Sequence, residues 1–497
     1  MIRKMGGIQR NINIPVLVGN GKIAIKDSDK AEMLVEAFVK VHSNDNITDN
    51  MKKYREQKVK ENEHIYEKKI PSGSRLDSIF TLYELKRALV GVKHTSPGKD
   101  EICYEMIKQL SDGSLNIILR LFNKIWDSGN IPVNWKHGVI VPIAKPGKDH
   151  SQPVSYRPIA LTSNLCKLME RMVMNRLTYE MESKSMLSAC QSGFRKGRNT
   201  MDSILSLEAE IRKAQVNKEI LVGVFFDVEK AYDMLWKEGL LIKLDKMGVG
   251  GKMYNWVLGF LFGRTIEVRV GKEYSPVYMV ENGTPQGSVC RPILFNCMIN
   301  DIFEDIAGGV SKSLFADDGA LWVRGRNQKF LQKKLQAAVD TMEQWANRWG
   351  FKMSVAKTQV ICFAKRHKEI LIKLYGEILE QVRAIRFLGV IFDEKLTWGQ
   401  HIEKTKDKCK SVNNLLRCLS GRDWGASRKS LLNIYKTMMR ARIDYGSVAY
   451  MSAAECHLKK LDVEQAKGLR ICSGAFKTSP VAALQVEMGE AFENKKD

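Results

Sequence analysis

Ser313-Leu314-Phe315-Ala316-Asp317-Asp318-Gly319-Ala320-Leu321-Trp322 places two adjacent carboxylates between two short apolar runs. Both runs have strand length, and Asp-Asp-Gly between them has turn composition, so the stretch predicts a hairpin with both Asp side chains at its tip. One use for such a tip is to hold divalent cations, which prefer hard oxygen ligands. A plain solvated turn is the alternative, and only the rest of the chain decides between them.

A third carboxylate lies some ninety positions upstream. Ile220-Leu221-Val222-Gly223-Val224-Phe225-Phe226 is a continuous apolar run, the pattern of a strand buried on both faces, and it ends at Asp227. If strand and hairpin are neighbours in one sheet, three carboxylates converge at its edge. Their mutual repulsion would raise their pKa values unless cations are present. Two Mg²⁺ ions about 4 Å apart would relieve it, and that arrangement serves in-line phosphoryl transfer.

The chain has 497 residues, 79 Lys+Arg and 56 Asp+Glu, a net charge of +23 spread along its whole length. Such a length predicts several domains or subdomains. The charge points to an extended polyanion as partner, nucleic acid first and an anionic membrane second. No apolar run approaches the ~18 residues that span a bilayer, and Met1–Gly7 has no apolar segment like a signal peptide. The membrane option therefore falls away. The ten cysteines include no CxxC pair and no zinc-finger spacing. Cys166, Cys362 and Cys472 sit among apolar residues and read as reduced core thiols, as expected inside a cell.

Residues 1–78 carry no catalytic pattern. Lys30–Val41 is weakly amphipathic and Lys52–Lys69 densely charged, which predicts a solvated helical extension. Thr81 and Glu84 form a capping box ahead of Leu85, Ala88, Leu89 and Val92. Helices are predicted with Ile118, Leu121, Phe122, Ile125 and Trp126 on one face, and with Leu165, Leu168, Met169, Met172 and Val173 on another. Gly138–Ile143 and Thr265–Val270 read as strands, Gly283–Ser288 as a tight loop feeding a long helix to Ile306, and Leu331–Trp349 as a core-packed helix. A helix is expected to start around Glu229–Tyr232, with further strands at Val360–Phe363 and Ala384–Phe392. After Trp398 the pattern is helical and basic.

Val224–Asp233, Gly283-Thr284-Pro285-Gln286-Gly287-Ser288-Val289 and Phe315-Ala316-Asp317-Asp318 resemble, in order, the three central palm motifs of reverse transcriptases. With Tyr156-Arg157-Pro158-Ile159 and Gln191-Ser192-Gly193-Phe194-Arg195, the chain is similar to the non-LTR (LINE-like) branch near the jockey-type elements. Gly350-Phe351-Lys352-Met353-Ser354 resembles the next palm motif and Arg386-Phe387-Leu388-Gly389-Val390 the primer grip.

The resemblance implies an α+β right-hand polymerase: fingers, a palm with antiparallel sheet, and a helical thumb. It implies a basic helical N-terminal extension over 1–135, a fingers–palm domain over 136–393, and a thumb and post-thumb region over 394–497. Asp227, Asp317 and Asp318 would be the catalytic metal ligands for two Mg²⁺ ions. Lys145 and Arg157 would contact the incoming triphosphate, Gln286 and Gly287 would line the nucleotide pocket, and Tyr232 would exclude a 2′-hydroxyl. Lys357 is a candidate general acid, and Phe387, Leu388 and Gly389 would form the primer grip. The implied partners are an RNA template, a DNA primer or RNA–DNA hybrid, and dNTPs, with no membrane; the implied location is nucleus or cytoplasm, not secreted.

Two rivals stand beside this reading. A viral RNA polymerase would have to admit the 2′-hydroxyl, against which Tyr232 argues. A decayed or domesticated copy would bind nucleic acid without catalysis. The family pattern is broken at Arg291, where a small residue is usual, at Cys290 in place of Leu, and at Glu101 in place of Gly. Arg291 is expected near the nucleotide pocket, where it could impair it. The 78 residues before the first clear helix cannot hold the endonuclease that full elements of this kind carry, which predicts a polymerase segment or a degenerate copy.

Overall fold

The computed structural model describes residues 14–19, 21–70, 75–366, 368–421 and 424–489. The Met1–Gly7 reading lies outside these residues. The chain forms two compact units, each built from several stretches of sequence: Met1–Phe194, Val228–Asp305 and Thr341–Met353 make one, and Arg195–Asp227, Ile306–Asp340 and Ser354–Asp497 the other.

In the first unit the strands run in the order Tyr156–Leu161, His137–Ala144, Thr265–Val270, Glu273–Tyr274, with Tyr278–Met279 also paired to Thr265–Val270. His137–Ala144 lies antiparallel to Tyr156–Leu161, Ile143 opposite Arg157, and parallel to Thr265–Val270. The helix Asp27–His42 closes one face of this sheet. Its Leu34, Val35 and Phe38 share a core with Ile140, Tyr156, Ala160 and Val268. The expectation of a solvated extension is corrected here, because this helix buries a full apolar side. Even Lys30 is buried, its ammonium donating to the Ile14 carbonyl at 2.9 Å. The next helix, Asp49–Glu61, does face water and buries only Arg55.

The Thr81 capping box is present, and the helix Leu82–Leu89 follows it. Helix Asp112–Ser128 buries Leu115, Leu119, Phe122, Ile125 and Trp126 and leaves Leu121 exposed, a face turned slightly from the predicted one. No helix starts at Glu229–Tyr232. That segment is a run of turns, and the helix begins at Lys237. The helix after the Gly283–Ser288 loop spans only Arg291–Ile299.

The second unit is organised on a five-stranded sheet ordered Glu380–Gln381, Gln359–Phe363, Ile220–Phe226, Asp318–Gly325, Ser311–Phe315. All neighbours are antiparallel except the first pair. Every residue of the central strand Ile220–Phe226 is buried, as its unbroken apolar run requires. On one face Phe225, Ala320, Trp322 and Ile361 join a core with Leu207 and Ile211 of helix Thr200–Val216, Leu416 of helix Gly399–Leu419 and Leu469 of helix Glu455–Ser473. The expected single strand over 384–392 is a hairpin, Ala384–Phe387 with Val390–Asp393. Leu388 and Gly389 both take positive φ, 46° and 89°, as a two-residue hairpin turn of the primed type demands. The described residues beyond Trp398 are helical apart from connections. All ten cysteines are free, and Cys166, Cys362 and Cys472 are buried.

Candidate active site

The carboxylates are brought together by strand register. Phe226 pairs with Gly319 in one ladder of the central strand. Continued by one residue, that register sets Asp227 across from Asp318. In the other ladder Phe225 pairs with Gln359, and continued by two residues it sets Asp227 across from Lys357. The side chains follow: Lys357 Nζ donates to Asp227 Oδ2 at 2.9 Å, and the Ser354 amide donates to the Asp227 carbonyl at 2.9 Å.

The hairpin turn sits one step earlier than Asp-Asp-Gly suggests. Phe315 pairs with Asp318, so the two loop residues are Ala316 and Asp317, and Asp318 already belongs to the return strand. Ala316 takes the left-handed conformation, φ 59°, where glycine would be usual. A non-glycine residue held there costs roughly 1–3 kcal/mol, a strain that collects at functional sites.

The acidity of Asp318 records this crowding. Its pKa is pushed up to about 6, first by withdrawal from water, then by the negative charges of Asp317 and Asp227, with Lys357 opposing. By surface area Asp318 keeps an exposed edge, so a cation can reach it and relieve the like-charge part. Among the described residues no group of three His, Cys, Asp or Glu side chains is drawn into a ready coordination shell. The donor set nevertheless fits a hard divalent cation: all carboxylate oxygen, mutually repelling, with the Lys357 ammonium resting on Asp227 as a positive charge already accepted there. Asp227, Asp317 and Asp318 are the residues that would hold it.

The residues expected at the nucleotide lie in the first unit. Lys145 directly follows strand His137–Ala144, and its Nζ donates to the Val154 carbonyl at 2.7 Å. Burial and then the Arg157 guanidinium lower its pKa. The Ala160 amide donates to the Gln286 carbonyl at 3.0 Å, tying the Gly283–Ser288 loop to the strand that carries Arg157. Gly287 has φ 107°, and a Cβ there would lie 3.2 Å from the Ala160 carbonyl oxygen, so both backbone and space call for glycine. Tyr232 is half-buried, its ring centroid 4.3 Å from that of Phe295.

In the second unit, Phe387 is buried at the end of its strand, and the Leu388-Gly389 turn is held by Tyr445, whose Oη donates to the Leu388 carbonyl at 2.5 Å.

The family model described as "Reverse transcriptase (RNA-dependent DNA polymerase)" matches residues 143–392, half of the chain. The chain belongs to the reverse transcriptase family. It is similar to "RNA-directed DNA polymerase from mobile element jockey" of Drosophila melanogaster, 31% identical over 406 residues, 80% of this chain and 44% of that protein. It is also similar to the probable RNA-directed DNA polymerases from transposon BS and transposon X-element of the same organism, 31% and 30% identical over 384 residues, 76% of this chain and 42% of each. The chain thus spans under half the length of these relatives. The resemblance to jockey-type elements read from the motifs is borne out. Among solved structures, apo telomerase from Candida tropicalis, truncated from its C-terminal domain, overlaps with a TM-score of 0.38 at 14% identity, covering 57% of this chain and 59% of that one, too slight a likeness to argue from.

Three features of this reverse transcriptase chain escaped the sequence reading. Glu170 is buried in helix Asn164–Ser183 and gathers the far end of the Gly283–Ser288 loop and the two residues after it. Its Oε2 accepts from Ser288 Oγ at 2.6 Å, the Val289 amide at 2.7 Å and the Cys290 amide at 3.3 Å. A lone Glu in an amphipathic helix gives no local signal of that task. His42, at the end of the N-terminal helix, places Nδ1 at 3.0 Å from the carbonyls of both Asp233 and Asn282. Two carbonyls can only accept, so Nδ1 carries the proton. Gly319 is the third, since the Phe226 ring lies across it.

Glu170→Ala takes the acceptor from the Ser288 hydroxyl and the Val289 amide, while the Cys290 amide keeps Ser288 Oγ at 3.1 Å; each buried donor left unpaired costs roughly 1–3 kcal/mol. Glu170→Gln retains an acceptor oxygen and recovers most of the loss. Thermal or denaturant unfolding of the two variants checks this; equal stability of Ala and wild type would show that the loop does not depend on the carboxylate.

Proposed function

We propose that the chain is an RNA-directed DNA polymerase of a non-LTR mobile element, adding dNTPs to a primer 3′-hydroxyl on an RNA template. The observation that carries this reading is the double register of the central strand, which aligns Asp227 with Asp318 on one side and with Lys357 on the other. Residues 136–393 would act as fingers and palm, 394–497 as thumb and post-thumb region, and 1–135 as a helical extension.

Asp227, Asp317 and Asp318 would hold two Mg²⁺ ions, which when bound lower the barrier by neutralising charge on the reacting phosphate and on the attacking oxygen. Lys357 balances the charge of Asp227 and is placed to donate a proton to departing pyrophosphate as that balance changes. Lys145, a point charge, and Arg157, a planar fork, suit the triphosphate of an incoming nucleotide. Gln286 and Gly287 present backbone and side chain to its base and sugar, and the Tyr232 ring excludes the 2′-hydroxyl. Phe387, Leu388 and Gly389 form a rigid turn against which a primer strand rests. The +23 charge supplies affinity for template and primer phosphates. No helix among the described residues is long and apolar enough to cross a membrane.

A primer-extension assay tests the reading: purified protein, poly(rA)/oligo(dT), dTTP and Mg²⁺ should give extended primer. Tight binding of the hybrid without extension would instead favour a nucleic-acid-binding protein that has lost catalysis.

A further inference from the structure

Arg291 breaks the family's sequence pattern, and the structure shows what it touches. It opens helix Arg291–Ile299 with a side chain only 14% exposed. The guanidinium is pinned at two points: Nη2 lies 2.9 Å from Asp233 Oδ1, and Nη1 donates to the Thr284 carbonyl at 3.0 Å. Held there, its Cζ stands 4.7 Å from the centroid of the Tyr232 ring. Phe295, one helical turn further on and fully buried, meets the same ring at 4.3 Å. Two residues four apart on one helix therefore cradle Tyr232.

The backbone beneath the ring is fixed as well. The Thr284 amide donates to the Tyr232 carbonyl at 3.4 Å and the Gly283 amide to the Leu235 carbonyl at 2.8 Å. A Cβ on Gly283 would lie 2.6 Å from the Asp233 carbonyl oxygen and 2.9 Å from that of Tyr232, so the turn 232–233 rests directly on this glycine. With the backbone set, the remaining freedom of Tyr232 is rotation of its ring, and a desolvated guanidinium over an aromatic face opposes that rotation.

We propose that Arg291 is a positioning residue that holds the Tyr232 ring in its discriminating pose, and so sets how strictly the enzyme selects dNTPs over rNTPs. This rests on the polymerase reading above and on Tyr232 as the sugar-excluding residue. Arg291 does not itself meet the nucleotide. It acts through the ring, and the expected impairment of the pocket by a bulky cation is replaced by a tightening of it.

The test compares Tyr232→Val, Arg291→Ala, Arg291→Met and the double variant Tyr232→Val/Arg291→Ala. The readouts are the ratio of kcat/KM for dTTP over UTP on poly(rA)/oligo(dT), and Tm. Tyr232→Val should lower the ratio most. Arg291→Ala should lower it about tenfold, the order expected for one well-desolvated cation–π contact. Arg291→Met keeps most of the side-chain volume and should show the same fall if the alanine variant does not fold. The double variant should match Tyr232→Val, because without the ring the guanidinium has nothing to hold.

A ratio unchanged in Arg291→Ala and Arg291→Met while Tyr232→Val lowers it overturns the inference and leaves a merely structural ion pair with Asp233. A further fall in the double variant also overturns it. An unchanged ratio in Tyr232→Val removes the underlying assignment of Tyr232, a failure recognisable because it appears without any change at Arg291.

Discussion

Asp227→Asn should abolish nucleotide incorporation, by about 10³-fold or more, the rate equivalent of the several kcal/mol that charge stabilisation by bound metal supplies. The substitution keeps the shape of the side chain and the backbone bond from Ser354, so the sheet has no reason to rearrange. What it removes is one negative charge at the point where the two ladders of the central strand bring Asp318 and Lys357 across from it. Lys357 loses the carboxylate it rests on at 2.9 Å. Asp317→Asn should be comparably damaging, because Asp317 occupies the turn and contributes to the crowding that lifts Asp318 to about 6. Binding of RNA–DNA hybrid should be almost unchanged in both, since one charge is small against a net +23. Single-turnover incorporation and hybrid affinity, measured at one salt concentration, separate these effects. Near-wild-type incorporation by either variant would end the assignment of these carboxylates.

The second large effect comes from a residue with no chemistry of its own. A Cβ on Gly319 would lie 2.0 Å from Phe226 Cζ and within 2.7 Å of two further ring atoms. Phe226 is only 3% exposed, so its ring has nowhere to go. Gly319→Ala therefore forces the strand end apart where Asp227 follows Phe226 and Asp318 precedes Gly319. Overpacking of this kind costs roughly 1–3 kcal/mol in stability, and the loss of incorporation should exceed what the lower Tm accounts for. Phe226→Leu, introduced together with Gly319→Ala, should restore much of the stability by vacating the ring's volume. If Gly319→Ala alone kept wild-type Tm and rate, the ring would not be fixed over this position.

These two residues also show what the sequence could disclose. The central strand was legible because burial on both faces leaves an unbroken apolar run, and a charge at its end stands out. The capping box at Thr81 was legible because it is purely local. The turn was misplaced because Gly319 reads as a turn residue, whereas its lack of a side chain answers to Phe226, more than ninety positions away, and Ala316 carries the left-handed conformation. The helix expected near Glu229–Tyr232 gives way to distant backbone partners: the Glu229 amide donates to the Lys352 carbonyl at 2.8 Å, and the loop at Gly283 takes the Leu235 carbonyl. The N-terminal helix seemed solvated because its apolar face is weakly patterned and includes Lys30, which finds a carbonyl partner that only the folded chain supplies. Glu170, His42 and the contacts of Arg291 belong to the same class, side chains whose partners are remote in sequence.

The two-sided register of Ile220–Phe226 bears on how copies of such a sequence can diverge. A strand paired on one side can absorb a gained or lost residue by slipping against its single neighbour, at the cost of turning one face inside out. This strand is paired on both sides along most of its length, and the registers of its two neighbours, continued past Phe226, align the next residue, Asp227, with Asp318 on one side and with Lys357 on the other. A slip that repaired one alignment would break the second. Length variation is therefore confined to the connections, while within these seven positions a lineage can exchange side chains but not count.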